Sequence, residues 1–380
     1  MIVRHFLKWI QTAPPAERAE ATGALARAYL YSDMSTGDRM AAEAAMIVLL
    51  DDPSPRVRLA LADALATQEY APRSVIIGLA HDQPDIAELI AGNTPVLLDA
   101  ELVDLVGTGK ERIQHAIASR ELLSRAVAAA VAEIGSASAC LILIENPHAE
   151  LTGAVLARIA ERHGHLAAIR DTLLERDDLP TETRQALVAT LADTLARFVA
   201  HKEWLSEARA QTVAREACDR ATIAIAAGQT PEQVAGLVRH LADTGQLTGA
   251  LLLRALLSGN TRFLIDALSE LSGLSASRVA AILPDRSGQG FRALFERAGL
   301  PQGAYGAFRA ALEVLQEMGL SGDVPGYSAI GRRVVERVIA RYAPESYGEL
   351  DELYALLRRF ATEAARDEAR LFTADLVAAA

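Results

Sequence analysis

Few residues of this chain stand at spacings that chemistry would need. His163 and His165 flank Gly164; two imidazoles this close could approach one metal ion, but helical ligands usually stand three or four residues apart on one face. No paired cysteine or third carboxylate accompanies them. VGTGKE, with Gly107, Gly109 and Lys110, suggests a loop whose amides and lysine hold a polyphosphate. It lacks the Gly-x-x-x-x-Gly-Lys-Ser/Thr spacing and a preceding strand, so a turn between helices explains it better. DRSGQG, from Asp285 to Gly290, reads as a loop for the same reason. No Gly-x-Ser-x-Gly elbow is visible, and Cys140 has no recognisable partner histidine. No catalytic, cofactor-binding or metal-binding residue is therefore assigned, and the chain is expected not to be an enzyme.

Three charged or amphipathic segments remain. Leu274 to Leu300 contains two short helical patterns around a glycine-containing turn, and Arg278, Arg286 and Arg292 could dock on duplex DNA. The same pattern is produced by any packed pair of short helices. Acidic residues near Glu349 and towards the C-terminus could attract cations, but interleaved with Leu and Arg they read as a solvated helix face. At the start, Ile2, Val3, Phe6, Leu7 and Ile10 share a stripe opposite Arg4 and Lys8, with Trp9 at its edge. Such a stripe could meet a membrane or a partner, or close the open end of a helical stack.

The elements that hold these residues are predicted to be helices throughout. Hydrophobic residues form 51% of 380, largely Ala and Leu, while aromatics form 5%; this balance suits closely packed helices rather than sheets. A net charge of −11 and a pI near 5.3 oppose broad attraction to nucleic acid or an anionic membrane. Cys140 and Cys218 are too few for a disulfide scaffold and lie in apolar helical patterns, so both are expected to be reduced and structural. No apolar stretch is long enough for a transmembrane helix, and the N-terminus lacks the features of a secretory signal, so a cytoplasmic location is expected.

Within the helical pattern a repeat is legible. LLDDPSPRVRLALADALA places a turn at Asp52 to Pro55 before a helix buried through Val57, Leu61 and Leu65, and Asp82 introduces a related turn thirty positions later. Leu98-Asp99, Leu123-Ser124, Leu151-Thr152 and Leu179-Pro180 recur at separations of 25, 28 and 28 residues. Four positions after the Leu come Leu102, Val127 and Val155, with Thr183 departing; eight positions after it come Val106, Val131, Ile159 and Leu187. Asn93 and Asn146 precede two of these points, Arg120 and Arg176 the other two, suggesting two kinds of turn. Such a period holds two short helices and two turns. One hairpin cannot bury both apolar faces, whereas stacked hairpins can, which predicts an all-α fold with an α-solenoid.

DDPSPRVRLALADALA and AHDQPDIAELIAGNTPVLLDAEL resemble HEAT-like and leucine-rich-variant helical repeats, although Ile86-Ala87 replaces the Val57-Arg58 pair. The run from about Asp51 to Phe198 looks like the bacterial domain-of-unknown-function family DUF2336; this resemblance bears on fold, not chemistry. The organisation expected is an N-terminal helical cap over 1–48, repeats over 49–200, a second helical unit over 201–320 and C-terminal helices over 321–380, with SGDVPGYS from Ser321 as linker. In the second unit Thr230, Pro231, Gln233 and Gly245 signal a capped helix. The leading functional expectation is a scaffold or adaptor that binds another protein or peptide. A nucleic-acid-associated regulator using 274–300, or an enzyme with a convergent pocket, are the alternatives.

Overall fold

The computed structural model describes residues 2–285, 288–318, 327–341 and 350–378. Among the described residues every regular element is helical and there is no strand. The chain divides into two compact units, Met1–Leu179 and Pro180–Ala380.

The first unit consists of short helices: α1 (Ile2–Trp9), α2 (Pro15–Tyr31), α3 (Thr36–Leu49), α4 (Pro55–Leu65), α5 (Arg73–Ala80), α6 (Pro84–Asn93), α7 (Asp99–Gly107), α8 (Glu111–Ala118), α9 (Arg125–Ile134), α10 (Ala137–Glu145), α11 (Gly153–His163) and α12 (Ala167–Glu175). Their starts are set locally. Pro55 and Pro84 occupy first turns, where a missing N–H costs nothing. Ser35, Ser124, Ser136 and Thr152 each accept a hydrogen bond from the amide three residues on. At Leu98-Asp99 the cap differs, for Leu98 precedes the helix and its amide donates to the Glu101 carboxylate at 2.9 Å.

Packing follows the period. α2, α4, α6, α8, α10 and α12 touch in succession, as do α7, α9 and α11, and α1 packs on α3, which packs on α5. Val57, Leu61, Leu65, Leu102, Val106, Val127, Val131, Val155 and Ile159 are all buried between these layers. Each such side chain contributes about 1.5–3 kcal/mol on full burial.

The turns carry a second repeated device. Arg18 donates to both carboxylate oxygens of Asp52 at 2.8 Å, and Arg58 to both of Asp82 at 2.6 and 2.9 Å. The two clamps are linked, since Arg58 Nη1 also donates to the Asp52 carbonyl at 2.6 Å. Where Ala87 replaces the arginine, the clamp changes form: Arg120 donates to the Ala91 and Thr94 carbonyls at 2.6 Å. Asn146 then donates to the carbonyls of Ala118 and Arg120 at 2.9 Å, Arg162 to those of Ala132 and Gly135, and Arg176 to that of Ile144. Helix C-termini leave carbonyls without intrahelical partners. A long cationic side chain from the following repeat satisfies them and suits the negative end of the helix dipole.

The second unit contains α13 (Thr181–His201), α14 (Glu207–Ala226), α15 (Pro231–Asp243), α16 (Gly249–Leu257), α17 (Thr261–Ser272), α18 (Ala276–Ile282), α19 (Gln289–Arg297), α20 (Tyr305–Glu317), α21 (Tyr327–Arg341) and α22 (Leu350–Ala378), with a 3-10 turn at Gln302–Ala304. The capping box at Thr230 and Gln233 forms as read, each side chain accepting from the other's amide. α17 ends at Gly273, whose φ of 68° is the left-handed conformation that glycine adopts without a Cβ penalty. α16 is buried on all sides from Leu251 to Leu257 and touches α14, α17, α20 and α21. Around it Phe291, Phe295, Tyr305 and Phe308 stack at centroid separations of 5.2 to 5.9 Å. Arg254, within this core, donates to Glu363 of α22 at 2.9 and 3.1 Å and lies 4.3 Å from the Phe360 ring centroid. The linker read at Ser321 lies outside the described residues as far as position 326.

Candidate functional site

The sequence candidates are placed mostly in packing roles. Gly107 ends α7, Gly109 adopts φ 71°, and Lys110 precedes α8. The amides of Thr108 and Gly109 donate to the carbonyls of Leu105 and Val106 and so are engaged in closing the helix. His163 is half-buried at the end of α11, its pKa lowered by burial and by Arg162, while His165 is exposed beyond it. Among the described residues no group of three or more His, Cys, Asp and Glu side chains could hold a metal ion. Cys140 is fully buried, and burial raises its thiol pKa despite the charge of Arg162.

In the 274–300 segment, Arg278 is exposed on α18, Arg292 lies over the Tyr305 ring at 4.9 Å, and Arg297 donates to the Ser272 carbonyl at 2.7 Å. Arg286 lies outside the described residues. At the N-terminus, Phe6, Leu7 and Ile10 are half-buried; the side chains of Ile2, Val3 and Arg4 lie outside the described ones. The C-terminal carboxylates differ from the solvated face expected of them. Glu363 pairs with Arg220 and Arg254, Asp367 with Arg220, and Glu368 with Arg332, because the long α22 lies across helices that carry those arginines. The Glu349 end of that acidic run lies outside the described residues.

What the structure adds is clefts. Along the even-numbered layer of the first unit, a cleft of about 520 Å³ lies over α2 and α4, floored by Gly23, Ala60 and Ala64 and rimmed by Glu20, Asp63, Arg27 and Tyr31. A second, of about 920 Å³, lies over α6 and α8 with Gly92 and Ala116 in its lining and Asp85, Glu88, Glu121, Arg112 and Leu122 around it. Gly92 faces Ala116 across this cleft; a Cβ there would stand 3.4 Å from that of Ala116. Arg112 is held by Asp85 and Glu88 at 2.7 and 2.5 Å, and Glu121 is a further exposed carboxylate on that rim. Tyr31 and Leu122 are 71% and 81% exposed, and the Tyr31 hydroxyl donates to Gln68 at 3.0 Å.

In the second unit a cavity of about 910 Å³ lies between α13 and α14 and reaches the turn before α16. Asp193, Arg197, Glu207, Arg215, Cys218 and Asp219 are in its lining. Burial pushes the Asp219 carboxyl up to about 6, against the opposing charges of Arg254 and Arg215. Burial and the neighbouring Asp219 charge also raise the Cys218 thiol, so it is kept protonated rather than activated. Sequence reading did not single out Asp219, because its environment is assembled from α14, α16 and the groups around them.

A family model described as "Uncharacterised protein conserved in bacteria (DUF2336)" matches residues 86–350. The match starts later than the Asp51 at which the resemblance was seen and extends well past Phe198 into the second unit. Comparisons with curated proteins and with solved structures gave no match.

Proposed function

The chain belongs to the bacterial DUF2336 family, and we propose that it acts there as a non-catalytic protein-binding scaffold, with the even-numbered helices of the first unit as its docking face. The observation that supports this is the pair of clefts over α2/α4 and α6/α8, with small residues as floor and with carboxylates and exposed Tyr31 or Leu122 at the rim. A floor of Gly and Ala admits a partner's backbone, and the rim favours basic and apolar side chains. The arginine clamps support the reading as well: they occupy the turn carbonyls and keep the row of hairpins rigid, so little scaffold entropy is lost on binding.

A photo-reactive phenylalanine analogue at Ala64 or Ala116 tests this in the native host. The expected result is a discrete protein adduct that disappears when Asp63→Lys and Glu121→Lys are introduced together. Adducts that are absent at both positions, or indifferent to the charge reversal, would overturn the groove assignment.

A further inference from the structure

The α13–α14 hairpin has two unlike faces. One lines the charged cavity with Asp193, Glu207 and Asp219. The other is an apolar groove of about 270 Å³, whose lining carries no charged side chain. Its walls include Leu191, Leu195, Leu205 and Val213, and Phe198 and Trp204, the chain neighbours of the lining residues Val199 and Leu205, meet edge to face with centroids 5.9 Å apart. Leu195 is 53% exposed, Phe198 49%, Trp204 69% and Val213 44%. Together these expose an apolar area on the order of several hundred Å², the size at which such patches mark interaction sites.

Spacing says what shape fits. Val188, Leu191, Leu195 and Phe198 follow one another at three and four residues on α13, and Ala210, Val213 and Ala217 do so on α14. Ala192, Ala196 and Ala214 line it between these stripes, so its floor is made of small side chains. A single helix laid between two others satisfies this geometry with its own three-and-four stripe.

Charge says which helix. Lys202 stands seven residues beyond Leu195, and Arg209 four before Val213, so both cations border the apolar face near the hairpin's outer end. Both are exposed, and Lys202 Nζ lies 5.8 Å from the Phe198 centroid. Of the hairpin's other charges, Asp193, Glu207 and Asp219 line the opposite face together with Arg197 and Arg215, Glu216 is paired with Arg359 at 2.9 Å, and Glu203 is exposed in the turn between the helices. A second copy of the same face would bring like charges together. We propose that this groove docks an amphipathic helix of a protein partner, apolar on one stripe and acidic along its flanks. This goes beyond the scaffold reading, since it concerns a different unit and stands or falls separately from the clefts over α2/α4 and α6/α8.

Two fluorescein-labelled designed helical peptides test it against the full chain by anisotropy, sharing a Leu stripe and carrying either Glu or Lys flanks. The acidic peptide should bind saturably and at least tenfold more tightly than the basic one. Leu195→Glu should weaken it at least tenfold, and Lys202→Glu with Arg209→Glu should invert the preference towards the basic peptide. Inversion cannot come from misfolding, and these exposed positions should leave helical circular dichroism unchanged. Neither peptide binding by about 100 µM, both binding equally, or a concentration-dependent dimer lost in Leu195→Glu would overturn the proposal.

Discussion

The two units solve one problem differently. In the first, no helix is central: each packs on near neighbours, and the clamp at each turn reaches only an adjacent repeat, as Arg58 reaches Asp52 and Asp82. In the second, α16 is enclosed on all sides and a single cluster runs from Ile223 to Phe360. Short-range coupling makes stability a sum over neighbours, whereas a shared core makes it collective. The same helical composition therefore supports one unit held together by contacts between neighbouring helices and another built around a shared core.

That contrast is sharpest under core truncation. Phe295→Ala removes the ring that contacts Phe291, Tyr305 and Phe308, and should cost about 3–5 kcal/mol. Hydrogen exchange should rise across α15 to α20 together; a rise confined to α19 would mean the second unit is no more cooperative than the first. Arg120→Ala should cost about 1–3 kcal/mol, because the Ala91 and Thr94 carbonyls lose their donor where water has little access. Faster exchange should then be limited to α6 through α10, and exchange rising throughout the first unit would contradict nearest-neighbour coupling.

Acid should separate the units by sign. Asp52 and Asp82 are half-buried, which alone would raise their pKa values, but hydrogen bonds from Arg18 and Arg58 and from local amides hold them below the usual range. A depressed folded-state pKa stabilises above the unfolded value, near 3.8, and that contribution is lost as pH falls further. Asp219 runs the other way: with a folded pKa of about 6 against 3.8 unfolded, the folded state holds the extra proton between those values. Its contribution therefore improves as pH falls from 6 towards 4. Asp219→Asn should raise stability at pH 7.5 by on the order of 1 kcal/mol and flatten that window. Thermal melts of the variant at pH 4.5 and 7.5 check this, and an unchanged pH profile would place the proton elsewhere.

Much of the first unit was legible because its signals are local. The residue eight positions after each register Leu is buried in every copy, and Asn146, Arg120 and Arg176, noted only as alternating turn residues, are the groups that reach back to the preceding carbonyls. Asn93 is the exception, bonding within its own helix to Leu89. The clefts were not legible, since which helices form the even layer depends on how hairpins stack. The apolar groove left only a faint trace: Leu191, Leu195 and Phe198 add a second stripe beside Ala192 and Ala196, and a sequence does not say which stripe is covered.

By itself, then, the chain's order of residues determined helices, their caps, the length of the repeat and the residues each hairpin must hide, because all of these arise within one or two turns of backbone. Tertiary structure alone decided which carboxylate meets which arginine, as when Arg220 finds Asp367 across 147 residues. It also decided which carboxyl is shifted by burial, as that of Asp219 is, and which face of α13 and α14 carries the apolar groove. Those outcomes depend on groups brought together from distant parts of the chain, and burial and charge act through space rather than along it.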